Sequence, residues 1–166
     1  MKKLVSVAIA CAVLGTPLSA QDIDRHGTIV VQPDQGRFVA NLGRELDRQL
    51  YRIPYPAGFR QSGVVKVRFV ANGAGRAERV DLFERSGSHS MDRAALRAVR
   101  RLDNLGSTEW SDEGGQDVLL SIIFATNNRD AERLAERVAD ENAALIASGN
   151  LDPRMLAVTM VPAARS

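Results

Sequence analysis

The side chains that could do chemistry lie in one short stretch of the chain. Every residue type of a serine hydrolase occurs within seven consecutive positions, namely Ser86, Ser88, His89, Ser90 and Asp92. A catalytic triad needs its nucleophile, base and acid to converge from different elements beside an oxyanion hole. A turn followed by the start of a helix explains these residues without catalysis. We therefore expect the protein not to be an enzyme.

The sequence predicts neither a metal site nor a cofactor. His26 with Asp22 and Asp24 offers one imidazole and two carboxylates in a polar arm, which is a weak ligand set for a divalent ion. Gly73 and Gly75 lie in a predicted hairpin, whereas a phosphate-binding loop follows a parallel strand. We expect no metal and no cofactor.

The charge balance argues against a nucleic-acid partner. The chain has 22 basic and 20 acidic residues, and Lys2 and Lys3 fall in a predicted leader, so the remainder is neutral. Apart from Lys66, its positive charge is arginine, which the sequence spreads between acids. A nucleic-acid footprint needs a basic stripe or patch. We therefore expect no nucleic-acid partner.

Residues 1–20 have the three parts of a secretory signal: two lysines, an apolar run from Leu4 to Leu14, and a small-residue end at Ala20. The apolar run is shorter than the ~20 residues that a membrane-spanning helix needs. Cys11 is the only cysteine and lies in this run, so the exported chain would have no disulfide. We predict cleavage after Ala20, with a retained inner-membrane anchor as the alternative.

Hydrophobic spacing predicts the order helix, hairpin, helix, strand, helix. Apolar residues every four positions predict a helix from Arg37 to Tyr51, and steps of three and four predict another from Met91 to Leu102. Alternation predicts a hairpin of strands at Val64–Val70 and Arg79–Phe83. The almost wholly apolar stretch Asp117–Ala125 predicts a third strand, either covered on both faces or presenting an edge to another chain.

These elements predict an α+β fold, with a small antiparallel three-stranded sheet and helices packed on one face. A helix from Arg129 to about Ser148 follows, and then an apolar tail too short to fold alone. The predicted organisation is a signal peptide at 1–20, a flexible arm with a strand-like segment at 21–36, a domain at 37–126, and a C-terminal helix and tail at 127–166.

The middle of the chain resembles the C-terminal domain of the TonB family, over about Tyr51 to Thr126. The resembling pieces are Tyr55-Pro56, the strand Gly63–Phe69, the turn Asn72–Arg76, Ser86-Gly87, the helix Met91–Val99 and an apolar strand ending at Phe124. The resemblance implies a periplasmic module that binds an extended segment of an outer-membrane transporter, the TonB box. It would do so by adding that segment to the edge of its sheet.

The resemblance also implies which residues contact the partner. They are Tyr55, Pro56, Val118, Leu119, Leu120, Ser121, Ile122, Ile123 and Phe124. Periodicity alone leaves an alternative open, in which the strand from Val118 to Phe124 is a core strand that is apolar on both faces.

A second strand-like segment resembles the TonB box itself. Thr28, Ile29, Val30 and Val31 follow a glycine in the arm, and the tail run Val158–Val161 is a poorer match. Such a segment could cap the protein's own sheet edge or bind another TonB-like domain, and the alternative is an arm that only adds a strand to its own fold or stays flexible.

The chain also departs from a complete TonB-like energy transducer, which has a histidine-bearing membrane anchor and a long proline-rich spacer. At ~3.6 Å per residue, the arm at 21–36 is too short to replace that spacer. We therefore expect an exported binding module without a motor connection. One alternative is an envelope assembly protein that self-associates, for example as a homodimer, through its last helix and tail. Another is a shortened energy transducer held at the membrane by an uncleaved leader.

The leader prediction has a direct test. Protein recovered from fractionated cells should begin at Gln21 and be found in the soluble periplasmic fraction, as measured by N-terminal sequencing and intact mass. A membrane-bound form beginning at Met1 would contradict cleavage and favour the anchored transducer.

Overall fold

The computed structural model describes residues 33–53, 61–106, 108, 115–152 and 154–162. Within them, three helices and four strands follow one another along the chain. They are α1 (Pro33–Arg52), β1 (Gly63–Asn72), β2 (Ala77–Glu84), α2 (His89–Val99), β3 (Gly115–Phe124), α3 (Asn128–Ala147) and β4 (Leu156–Met160). α1 begins inside the segment predicted as an arm, where a proline is tolerated because the first N–H groups of a helix have no intrahelical acceptor.

The four strands form one mixed sheet in the order β2-β1-β3-β4. The first three strands pair antiparallel, and β4 pairs parallel to β3. The α+β class is confirmed, but the prediction of a three-stranded antiparallel sheet is wrong. The tail supplies the fourth strand because α3 carries the chain back to the end of the sheet where β3 begins.

The helices cover both faces of the sheet. One core lies between the sheet and the helices α1 and α2, and it includes Phe38, Leu42, Leu46, Leu50, Val65, Val67, Phe69, Ala95, Val99, Val118, Leu120 and Ile122. On the opposite face, Leu134 and Val138 of α3 pack against Val64 and Ile123. α1 and α2 lie on one face, as predicted for the helices of the domain, and α3, for which the sequence predicted no face, covers the other, because β3 is apolar on both faces and both need cover.

The turn of the β1–β2 hairpin packs closely against the segment that follows α2. Gly75 has φ +72°, and a Cβ added there would lie 2.9 Å from the backbone N and O of Gly106. The Leu105 N–H donates a hydrogen bond to the Gly75 carbonyl at 3.0 Å. Only glycine meets both demands, a left-handed backbone and backbone contact at this distance.

Two alanine substitutions distinguish the cost of the left-handed backbone from the cost of the close backbone contact. Gly87 also has a positive φ, +85°, but open space where a Cβ would lie. Gly87→Ala should lower the free energy of unfolding by about 1 kcal/mol, from backbone strain alone. Gly75→Ala should cost at least about 1 kcal/mol more, because backbone must also move. Urea denaturation measures both values, and equal losses would contradict the close contact.

Candidate functional site

The predicted contact strand β3 lies inside the sheet and is paired along both edges. β1 pairs with all ten of its residues, from Gly63 opposite Phe124 to Asn72 opposite Gly115. On the other side, Val118 to Ile122 lie opposite Leu156 to Met160 of β4. The edge that was expected to meet a partner is therefore occupied by the chain's own tail.

The side chains of β3 are core residues. Val118, Leu120 and Ile122 are fully buried beneath α1 and α2, and Leu119 and Ile123 are just as inaccessible on the opposite face. This matches the alternative interpretation of an apolar strand covered on both faces. A partner could therefore reach β3 only along its backbone edge, where β4 now lies.

The other predicted contact segments fall outside the described residues. This applies to Tyr55 and Pro56, to the box-like segment Thr28–Val31, and to the leader. Their assignments stay predictions.

β4 lies against the sheet as an extended ligand would. Leu156 and Val158 point into the core shared with α1 and α2. Met160 lies against α1, where a Cβ added to Gly43 would be 3.5 Å from the Met160 Cε. Thr159, between these positions, is exposed. Alternate apolar side chains thus fill the core while the backbone pairs with β3, which is how strand addition combines affinity with selectivity.

Gln116, at the start of β3, holds the chain just before β4. Its side-chain Nε2 donates hydrogen bonds to the Arg154 carbonyl at 2.9 Å and the Asp117 carbonyl at 2.8 Å. The side chain is buried, so these contacts satisfy a polar group that would otherwise be costly to bury. Sequence reasoning missed Gln116, although a lone amide at the start of an apolar strand was a signal.

A buried lysine fixes α3 to the second face of the sheet. Lys66 of β1 is only 2% exposed, and its Nζ donates to Glu141 Oε2 of α3 at 2.6 Å and to Glu84 Oε2 of β2 at 2.9 Å. Burial alone lowers the pKa of Lys66, but the hydrogen bonds to the two carboxylates outweigh it and the pKa is raised. The ion pairs therefore join α3 to two strands.

The start of α3 is fixed by a second set of hydrogen bonds. Asn127 caps the helix by accepting from the Asp130 N–H at 2.9 Å. The Asp130 carboxylate accepts from Ser62 Oγ at 3.0 Å and from Thr126 Oγ1 at 3.2 Å. The hydrogen bond from Ser62, just before β1, is the largest cause of the lowered pKa of Asp130. Both halves of α3 are thus held to the sheet.

The residues with hydrolase chemistry form the start of α2. Asp92 Oδ1 accepts hydrogen bonds from the Ser86 N–H at 2.9 Å and from Ser86 Oγ at 2.8 Å. Ser88 is the residue immediately before the helix. Among the described residues, no hydrogen bond joins His89 to a serine. The carboxylate of Asp92 therefore closes a turn, as the simpler interpretation predicted.

Within the described ranges, no group of three or more His, Cys, Asp or Glu side chains could hold a metal ion. No helix among those ranges is both long and apolar enough to cross a membrane. His26, Asp22 and Asp24 lie outside them.

One family matches part of the chain. Residues 57–108 match the model described as Gram-negative bacterial TonB protein C-terminal, and this stretch contains β1, β2 and α2. The chain therefore carries a TonB C-terminal-like domain, which confirms the resemblance. Domains of this family are non-enzymatic protein-interaction modules of the periplasm. No curated protein and no solved structure matches the chain.

The match ends before the candidate site. β3, α3 and β4 lie beyond residue 108. The occupied edge of β3 is therefore described from the geometry of this chain alone.

The Lys66 ion pairs generate a stability prediction. Replacing both Glu84 and Glu141 with glutamine leaves a buried ammonium without a carboxylate and should cost about 3 kcal/mol of unfolding free energy. Lys66→Met removes the charge with its desolvation cost and should change stability by less than about 1 kcal/mol. Glu132→Gln with Glu136→Gln, on the exposed side of α3, is the matched control.

The pH dependence of the stability follows from the direction in which the pKa of Lys66 is shifted. A pKa raised in the folded state means that the stability from Lys66 is complete below its ordinary value of 10.5 and is lost as the pH rises through the folded value. The wild type should therefore lose stability relative to Lys66→Met above pH 10.5 in urea denaturation. Parallel pH profiles would contradict the assignment.

Proposed function

We propose that this protein binds an extended segment of a protein partner along β3, and that β4 leaves its place to admit it. The partner segment would be of the TonB-box type, from an outer-membrane transporter or presented by another TonB-like domain. The binding would take place in the periplasm and serve transport across the membrane. The observation that carries the proposal is the parallel pairing of Val118–Ile122 with the chain's own terminal strand.

β4 indicates what such a segment must look like. Its apolar residues Leu156, Val158 and Met160 stand at alternate positions and face the helices, and Thr159 between them is exposed. A partner with apolar residues at alternate positions can take over both the backbone pairing and the same core contacts.

β4 is also the strand that can leave the sheet with the smallest loss of backbone pairing. Among the described residues, β4 pairs on one side only, over five residues, whereas β1 and β3 pair with each other over ten. Parallel pairing is slightly weaker per residue than antiparallel pairing. The contacts that hold α3, through Lys66 and Asp130, do not involve β4. A short edge strand with few pairing partners opens locally more readily than the central strands of a sheet.

The box-like segment Thr28–Val31 extends this proposal to a second chain. Its β-branched residues suit an extended strand, and it would pair with β3 of another copy or of another TonB-like domain. Self-association through α3 and the tail is the weaker candidate, because Leu134 and Val138 pack within the chain and the tail forms β4.

A reversible disulfide tests the exchange of strands. Ser121 and Thr159 lie opposite each other in the β3–β4 register. Ser121 Oγ is buried with no partner among the described residues, so its replacement costs no hydrogen bond. The variant carries Ser121→Cys and Thr159→Cys together with Cys11→Ala. The probe is a fluorescent peptide copying residues 154–162, with a scrambled peptide as control.

Fluorescence anisotropy should show that the oxidised variant does not bind the probe and that reduction restores binding. Val158→Ala, which loosens β4, should raise the affinity by up to about tenfold, while the exposed control Thr159→Ala leaves it unchanged. Equal binding by the oxidised and reduced forms would overturn the exchange. A proline at Leu120 or Ile122 is the poorer test, because each lies in a strand paired on both sides.

A further inference from the structure

A basic groove lies at the other side of the molecule, between β2 and α2. Its volume is about 520 Å³. Leu82 of β2 and Leu96 of α2 form its apolar part, and both are half-buried. His89, Asp92 and five exposed arginines line the rest, the arginines being Arg85, Arg93, Arg97, Arg100 and Arg101.

This groove contradicts the prediction that the positively charged residues are spread between acids. Apart from the adjacent pair Arg100-Arg101, the arginines are separated along the sequence by other residues, but on a helix positions four apart share a face. Arg93, Arg97 and Arg101 therefore stand in one row on α2 and at its end, and Arg85 joins them from the turn after β2. The fold thus brings Arg85 and the arginines of α2 onto one surface.

The positive charge of the groove is not neutralised within the described part of the chain. None of the five arginines forms an ion pair with a described residue, whereas Arg133 and Arg137 on α3 do. The one acid in the lining is Asp92, which is buried and accepts two hydrogen bonds from Ser86. The groove therefore offers guanidinium groups that are free to bind an anionic partner.

We propose that the groove lined by Arg85, Arg93, Arg97, Arg100 and Arg101 binds an acidic, extended segment of a protein partner. It is a second binding surface, separate from the β3–β4 edge. The sheet order β2-β1-β3-β4 places the two surfaces at opposite edges.

The spacing of the arginines suits an extended peptide. Residues four apart on a helix are separated by about 6 Å along its axis. Alternate residues of an extended chain are separated by about 6.6 Å. Carboxylates at every second position of a partner can therefore meet Arg93 and Arg97 in turn, and the planar guanidinium binds a carboxylate through two parallel hydrogen bonds.

The groove recognises side chains and does not extend the sheet. The pairing of β2 with β1 shifts twice, between Lys66 and Val67 and between Arg68 and Val70. Arg79 in the second of these irregular stretches has φ +49°. Such bulges prevent a regular ladder along an edge strand. A partner in the groove is therefore held by its carboxylates.

Nucleic acids and membranes fit the groove less well. Proteins that bind single strands combine a basic channel with several aromatic stacking platforms, whereas the described lining of this groove holds one ring, the imidazole of His89, and no Phe, Tyr or Trp. A membrane surface is broad, whereas these arginines form a concave site. An acidic peptide matches both the shape and the charge.

The test uses the full chain and a fluorescent peptide in which glutamate alternates with serine, with the glutamine version as control. Arg93→Glu with Arg97→Glu should weaken binding of the glutamate peptide about tenfold or more. Arg68→Glu with Arg129→Glu, two exposed arginines outside the groove, changes the net charge equally and should leave binding unchanged. Arg93→Gln with Arg97→Gln should also weaken it, without charge reversal. Circular dichroism checks that each variant folds.

Binding should fall as sodium chloride is added, and the glutamine peptide should not bind. Equal loss in both charge-reversed variants would overturn the groove as the site and indicate a general charge effect. Groove variants that lose binding to phosphatidylglycerol vesicles or to oligothymidylate, but keep the glutamate peptide, would replace the proposed partner with a membrane or a nucleic acid. The oxidised Ser121–Thr159 variant should bind the glutamate peptide normally, so failure of the strand exchange and failure of the groove are distinguishable.

Discussion

The structure depends on one constraint, which is that a strand buried on both faces must have its backbone groups paired on both edges. An unpaired N–H or C=O buried away from water costs about as much as a lost hydrogen bond. The faces of β3 are covered by α1 and α2 on one side and by α3 on the other. β1 and β4 then satisfy its backbone. Any partner that uses β3 must replace β4 and cannot simply join it.

The position of β4 depends in turn on α3. A strand parallel to its neighbour needs a crossover connection of a dozen or more residues, commonly a helix. α3 provides that crossover on the second face, where Lys66 and Asp130 hold it. The polar contacts of α3, together with the packing of Leu134 and Val138, therefore fix the helix from which the tail starts.

The local elements of the fold could be predicted, and the long-range ones could not. The stripe of Phe38, Leu42, Leu46 and Leu50 predicts α1 because a helix fixes the period of its own apolar face. The five residues of β4 carry too little periodic signal, and their pairing depends on where α3 ends. The mostly apolar stretch Val118–Phe124 of β3 likewise indicates that both faces are covered, without indicating which helix covers each.

The same distinction holds for the functional surfaces. Ser86 and Asp92 were correctly interpreted as part of a helix start, because that motif is local. Gln116 and the row of arginines were missed because each acquires its role from a neighbour distant in sequence or from a helix face. The family match at residues 57–108 covers the hairpin and α2, and it leaves out Tyr55-Pro56 and the strand ending at Phe124, which also carried the resemblance.

The short connection between α3 and β4 has a consequence for competition. Only residues 148–155 separate the end of the anchored helix from the terminal strand. A segment on a short tether meets its site at an effective concentration of roughly millimolar order. A free peptide must compete with that local concentration. Its apparent affinity is therefore its intrinsic affinity multiplied by the fraction of molecules in which β4 has left the edge of β3. The tethered β4 therefore outcompetes short free segments. A partner can displace β4 if it is itself held close to the site or pairs with β3 over more than five residues.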